Sequence, residues 1–136
     1  MRVMGLDVGD ARIGLALSDP TGFLASPFGF VDRGPSDLAD IARIAEENEA
    51  AEIVVGLPLS MSGDSGTQVG KVRGFIRELR SHTDLPIKTV DERLSTVQAE
   101  GMLRQSGRRR RDRDRGQLDA AAAAVILQAY LDYGGR

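Results

Sequence analysis

The chain has no cysteine, no tryptophan and a single histidine. Without thiols there is no disulfide scaffold, no thiol catalysis and no Cys-ligated zinc. One histidine, His82, excludes a His-rich metal site and argues against a Ser-His-Asp triad. Aromatics are scarce: two Tyr and four Phe give little basis for base stacking. No apolar stretch reaches the roughly 18 residues a membrane span needs. No separate apolar segment with a cleavage signal precedes the first strand pattern, which already contains Asp7. Together these absences set the expectation of a cytoplasmic protein with no membrane partner.

What remains is ordinary globular composition: 136 residues, 41% apolar and 28% charged. That length suits one domain, 1–136, able to hide roughly two-thirds of its unfolded surface. The net charge of −2 argues at first against a nucleic-acid partner, but the charge is unevenly placed. All cations except Lys71 and Lys88 are arginine. Residues 100–116 hold Arg104, Arg108, Arg109, Arg110, Arg111, Arg113 and Arg115 against only Glu100, Asp112 and Asp114. A mildly acidic body therefore carries a concentrated Arg segment, and Arg forks match phosphate oxygens. The plainer alternative is a solvated loop with no partner.

Residues 2–8 and 13–17 are short apolar runs joined by turn chemistry at Gly9, Asp10, Ala11 and Arg12, which predicts a β-hairpin. A third antiparallel strand is expected over 26–31. Leu38, Ile41, Ile44 and Ala45 recur at helical spacing, as do Val69, Val72, Phe75, Ile76 and Leu79. Unalternating apolar residues 53–57 predict a strand buried on both faces, and 87–90 a last strand. Ser95, Thr96, Val97 and Gln98 fit a capping box, so a helix is expected from there to about Gly107. A flexible Arg-rich loop is expected over about 107–116, then a helix over 117–133 opening on a run of five alanines. Such small residues let a helix lie close to what it packs on. The order is that of an α/β mixed sheet with helices against it.

Three acidic features stand out. Asp7 sits inside an apolar strand, where a carboxylate is costly unless paired or metal-bound. Asp119 opens an apolar helix, where an acid also suits the helix dipole. Asp91 and Glu92 follow the last strand directly, and there they could equally form a solvated turn. Each lies at an element end, where distant segments can meet. A cluster of carboxylates with no His or Cys suits Mg²⁺ or Mn²⁺, and such ions promote phosphodiester cleavage. Gly70 and Lys71 invite a P-loop reading, but Ser65 and Val72 stand where the motif needs Gly and Ser/Thr. His82 lies in a polar stretch and is expected to cap or face solvent.

These residues also carry a resemblance. Gly5 to Gly9 with Arg12 to Ala16, the Ile53 to Leu59 stretch, the Asp91 to Ala99 stretch and the Asp119 to Gln128 stretch resemble, in order, four motifs of the YqgF/RuvX family. The match covers essentially the whole chain. The resemblance implies a ribonuclease H-like fold with a five-stranded mixed β-sheet flanked by α-helices. It implies a divalent-metal nuclease acting on structured RNA, such as the 5′ end of pre-16S rRNA in ribosome biogenesis. The alternative is branched DNA, as a Holliday-junction resolvase. The family's acids fall on Asp7, on Asp91 or Glu92 (with Glu92 favoured) and on Asp119. Arg12 and Arg93 are then candidates for phosphate near Mg²⁺ or Mn²⁺. Arg108, Arg109, Arg110, Arg111, Arg113 and Arg115 are candidates for the nucleic-acid backbone. Ser60, where the family has Asn, and Gly63 belong to a candidate substrate loop. The strand ending at Leu57 carries no acid, whereas related resolvases have one near there. The ribosome is a candidate partner, and a homodimer is expected if the substrate is a junction.

Two rivals come from other classes. A non-catalytic nucleic-acid or ribosome-binding factor would use the Arg segment and keep the acids as structure. A sugar-kinase-like ATPase is suggested by Asp7 and Gly9, but 136 residues are too few for its two lobes.

Overall fold

The computed structural model describes residues 1–58, 66–92 and 115–134. Strands β1 (Arg2–Val8), β2 (Arg12–Ser18) and β3 (Ala25–Asp32) come first. Helix α1 (Asp37–Glu47), β4 (Ala50–Leu57), α2 (Thr67–Leu79) and β5 (Ile87–Asp91) follow. Helix α3 (Arg115–Ala129) ends in a π-helical turn, Tyr130–Gly134. The sheet order is β3-β2-β1-β4-β5. The first three strands pair antiparallel, and β4 runs parallel to both β1 and β5.

Strand alternation sorts side chains onto two faces. Met4, Leu6, Val8, Ile13, Leu15, Ile53 and Val55 meet Ile41 and Ala45 of α1 and the apolar stripe of α2. Val3, Ala16, Val54 and Val90 meet Ala123, Ala124, Ile126 and Leu127 of α3. β4 is buried on both faces, as its unbroken apolar run requires. The result is a sheet between α1 and α2 on one side and α3 on the other.

The alanine-rich α3 lies close because the strands beneath it carry glycine. A Cβ on Gly5 would stand 2.7 Å from Cβ of Leu127, and one on Gly14 would stand 2.0 Å from the carbonyl oxygen of Asp119. Tyr130 donates to Oε1 of Glu52 at 3.2 Å, tying the end of α3 to β4.

Two element starts differ from the sequence expectation by more than one residue. β4 starts at Ala50, three residues before the expected 53. The buried Glu52, satisfied by Tyr130, had masked that start. α3 starts at Arg115, so Arg115 and Gly116 belong to the helix and not to the expected loop. Gly116 is a poor helix former but fits the ring of Phe30, where a Cβ would come within 2.3 Å. The helix expected from Ser95 to Gly107 and the rest of the Arg-rich loop lie outside the described residues.

Candidate functional site

Asp7 is the sixth residue of β1 and falls in the alternation on the α3 face, with Val3 and Gly5. Directly opposite it in β2 is Gly14. On the other side Leu6 pairs with Val55, so the register carries Asp7 to Gly56 of β4. Gly56 is in turn opposite Val90 of β5. Asp7 is thus flanked by two glycines, and both of its neighbours leave room above the sheet.

Other segments fill that room. The backbone of Asp119 lies over Gly14. The side chain of Glu92 lies over Gly56, where a Cβ would be 3.0 Å from its Cγ and 3.2 Å from Oε2. Asp91, paired with Leu57, falls on the opposite face in the alternation. This geometry favours Glu92 over Asp91 as the companion of Asp7. The site sits at the carboxyl ends of the parallel strands β1, β4 and β5, where open α/β sheets bind ligands.

The electrostatics agree with this grouping. Burial pushes the Asp7 carboxyl up to about 6, and the charge of Asp119 adds to the rise. Burial pushes Glu92 up to about 7, with further contributions from Asp7 and then Asp91. Asp7 is thus the common neighbour: its pKa is raised by Asp119 and it raises that of Glu92. Arg12 donates from Nε to Oδ2 of Asp119 at 2.8 Å, which fixes that carboxylate at the rim.

The donors are all carboxylate oxygens, and their mutual repulsion is what a hard divalent cation relieves. The residues fit such an ion by chemistry. Among the described residues, however, no three acidic or imidazole groups stand close enough together to enclose one. The acids are neighbours around Asp7 rather than a closed cage.

The other expected site residues fall as follows. Arg115 is exposed at the start of α3. Arg93, Arg108, Arg109, Arg110, Arg111, Arg113, Ser60 and Gly63 lie outside the described residues. His82 is exposed at the end of α2, its Nδ1 3.2 Å from the carbonyl of Glu78 and from Oγ of Ser81. It takes no part in the site. Gly14 and Gly56 were not singled out from the sequence. The available signal was glycine inside an apolar strand, which marks close approach.

A five-stranded mixed sheet of this order, with helices on both faces, is a ribonuclease H-like fold. Thermus thermophilus RuvC in complex with a Holliday junction substrate superposes with TM-score 0.61 at 17% identity, covering 98% of this chain and 97% of that one. The fowlpox virus Holliday junction resolvase gives 0.55 at 11% identity, covering 97% and 98%. The chain belongs to the RuvX family, whose model, described as "Holliday junction resolvase", matches residues 1–133. A Nocardioides protein is 53% identical over 135 residues, covering 95% of this chain and 86% of its own length. One from Desulforamulus reducens is 49% identical over 138 residues, covering all of both chains. Each of these two relatives carries the name "Putative pre-16S rRNA nuclease". No helix among the described residues is long and apolar enough to cross a membrane.

Proposed function

We propose that this protein, as one domain over 1–136, is an endonuclease that hydrolyses phosphodiesters in structured RNA. Its substrate is the 5′ region of pre-16S rRNA, met in the cytoplasm, free or on the ribosome. The observation that carries this reading is the gathering of Asp7, Glu92 and Asp119 from distant segments onto one face, with the proton affinity of Asp7 and Glu92 raised by burial and mutual charge. The names of the relatives support the RNA substrate.

Asp7, Glu92 and Asp119 would hold Mg²⁺ or Mn²⁺, with Asp91 as an outer acid. A divalent ion there supplies Lewis acidity toward the phosphate. Asp7 and Glu92 bind protons near neutral pH, so proton and cation compete for the same oxygens. Arg12 holds Asp119 in place. Arg93, Arg108, Arg109, Arg110, Arg111, Arg113 and Arg115 would grip the phosphate backbone, and Ser60 and Gly63 would border the substrate.

A second reading, junction resolution, is favoured by the family description and the titles of the structural neighbours. It requires a homodimer, since symmetric cutting needs two sites. One assay tests both: a pre-rRNA 5′ leader and a four-way DNA junction, each with and without Mn²⁺, cut by wild type and Asp7→Asn. Mn²⁺-dependent cutting of the leader, reduced about 100-fold or more in the variant, is expected. Undiminished cutting by Asp7→Asn sinks the site. Junction cutting alone selects the resolvase. Binding without cutting by wild type makes the protein a binding factor.

A further inference from the structure

The cross-strand row that contains Asp7 does not end at Gly14. Gly14 is paired in turn with Phe30 of β3. Directly paired residues in adjacent strands project to the same face, so Phe30 stands on the face of Asp7 two strands away, about 10 Å along the row. Its ring lies against Gly116 in the first turn of α3, one residue after Arg115. Yet 48% of Phe30 is exposed, on the outermost strand of the sheet. Phe23, Phe28 and Tyr133 are exposed as well, but Phe30 is the exposed aromatic that the strand register puts on the row of Asp7. Glycine at 116 is what lets the ring settle there, since any Cβ would strike it.

We propose that Phe30 is a stacking platform for an unpaired nucleobase next to the phosphodiester at the Asp7 site. The proposal rests on the nuclease reading for its ligand. The first turn of α3 lies along this row, with Asp119 over Gly14 and Gly116 on the ring, so a strand whose phosphate lies at the acids would follow that turn to lay a base on the ring's open face. Only an unpaired base can do so, because paired bases hide their faces in the helical stack. Stacking tolerates any base, so Phe30 selects unpaired structure near the cut rather than sequence. Phe28 is also half-exposed but sits off the row. Gly29 pairs with Leu15 and Pro27 with Ala16, which leaves Phe28 as the extra residue of a bulge.

The test separates binding from cleavage by working in EDTA. The probe is an RNA stem with one unpaired 2-aminopurine, compared with the same stem fully paired. Wild type should quench the unpaired probe and bind it more tightly than the duplex. Phe30→Leu keeps an apolar contact to Gly116 but removes the π face. It should abolish the quench and weaken binding of the unpaired probe by roughly 5- to 100-fold, with the duplex unchanged. Phe30→Trp should restore the quench, and Phe28→Leu should leave it intact. Thermal melts of each variant check the fold.

Quenching by Phe30→Leu equal to wild type overturns the proposal, as does the absence of quenching in wild type. A change in oligomeric mass in Phe30→Leu, with RNA affinity unaltered, also overturns it and assigns the ring to a second copy of the chain. The nuclease reading fails separately, through cutting by Asp7→Asn, and such a failure leaves the binding result standing. A DNA stem with the same unpaired probe distinguishes a preference for RNA from one for any unpaired base.

Discussion

Asp7 is a carboxylate held where the fold, without a cation, favours a neutral side chain. Its folded-state pKa of about 6 exceeds the ordinary 3.8 because burial and Asp119 both oppose ionisation. The sign of the linkage follows. Below about pH 4 the acid is protonated in both states and costs nothing. As pH rises toward 6, the unfolded chain ionises first, and stability is lost. Above pH 6 the whole penalty is present, on the order of 2–3 kcal/mol for a shift of this size. Glu92, pushed up to about 7, extends the same loss toward neutrality. Asp7→Asn should therefore melt higher than wild type at pH 8 in EDTA, by roughly 5–10 °C, and equal to it near pH 4. Mn²⁺ should raise the wild-type Tm and leave the variant nearly unmoved. A lower melting point for the variant at pH 8 in EDTA would contradict the desolvated-charge account. The residue proposed for the centre of the site is then also one whose charge weakens the fold.

Helix α3 carries Asp119 to Asp7 only because glycines in the strands let it approach. Two of these glycines should respond differently to alanine. At Gly14 the obstacle is the backbone carbonyl of Asp119, 2.0 Å from the new Cβ, and it cannot move without the helix. At Gly56 the nearest atoms are Cδ1 of Ile126 at 2.8 Å and the Glu92 side chain, both able to rotate. Gly14→Ala should cost about 3 kcal/mol or more, read by urea melts. Gly56→Ala should cost about 1 kcal/mol but still lower cleavage, because Glu92 is what yields. Equal stability losses would show that α3 is looser than the distances indicate. The strands themselves were legible in the sequence as apolar runs, and α1 and α2 as apolar stripes. Local patterns missed β4 before Ile53 because a buried Glu52 reads as a surface residue until Tyr130 is known to meet it. Asp7, Glu92 and Asp119 were legible as acids out of place at element ends. Their meeting was not, since it depends on β4 pairing with β1 across more than 40 residues. The same holds for Arg12, whose partner lies 107 positions away. It holds also for Phe30, whose place beside Asp7 exists only in the cross-strand register.

At the scale of the whole molecule, the net charge of −2 conceals a division of labour. On the proposed reading, acids that hold a metal also repel the phosphate backbone that must reach them, so approach needs positive charge nearby. Arg12 is committed to Asp119, and Arg33 to Asp37 at 3.0 Å and to the face of Phe75. The Arg108, Arg109, Arg110 and Arg111 run just before α3 is a concentrated reserve of charge, and Arg115 joins it to the helix that bears Asp119. Phosphate contacts release bound counterions, so log K falls with log[salt] by about 0.7 to 0.9 for each phosphate neutralised. Replacing the four arginines by glutamine should therefore flatten that slope by about 3 for RNA, measured by anisotropy over a salt series in EDTA. It should weaken paired and unpaired probes alike, because backbone charge carries no information about base pairing. Phe30→Leu should do the opposite, leaving the slope intact and erasing the preference for the unpaired probe. An unchanged slope in the glutamine variant would remove the Arg run from the interface and leave the acidic body to bind RNA by some other surface.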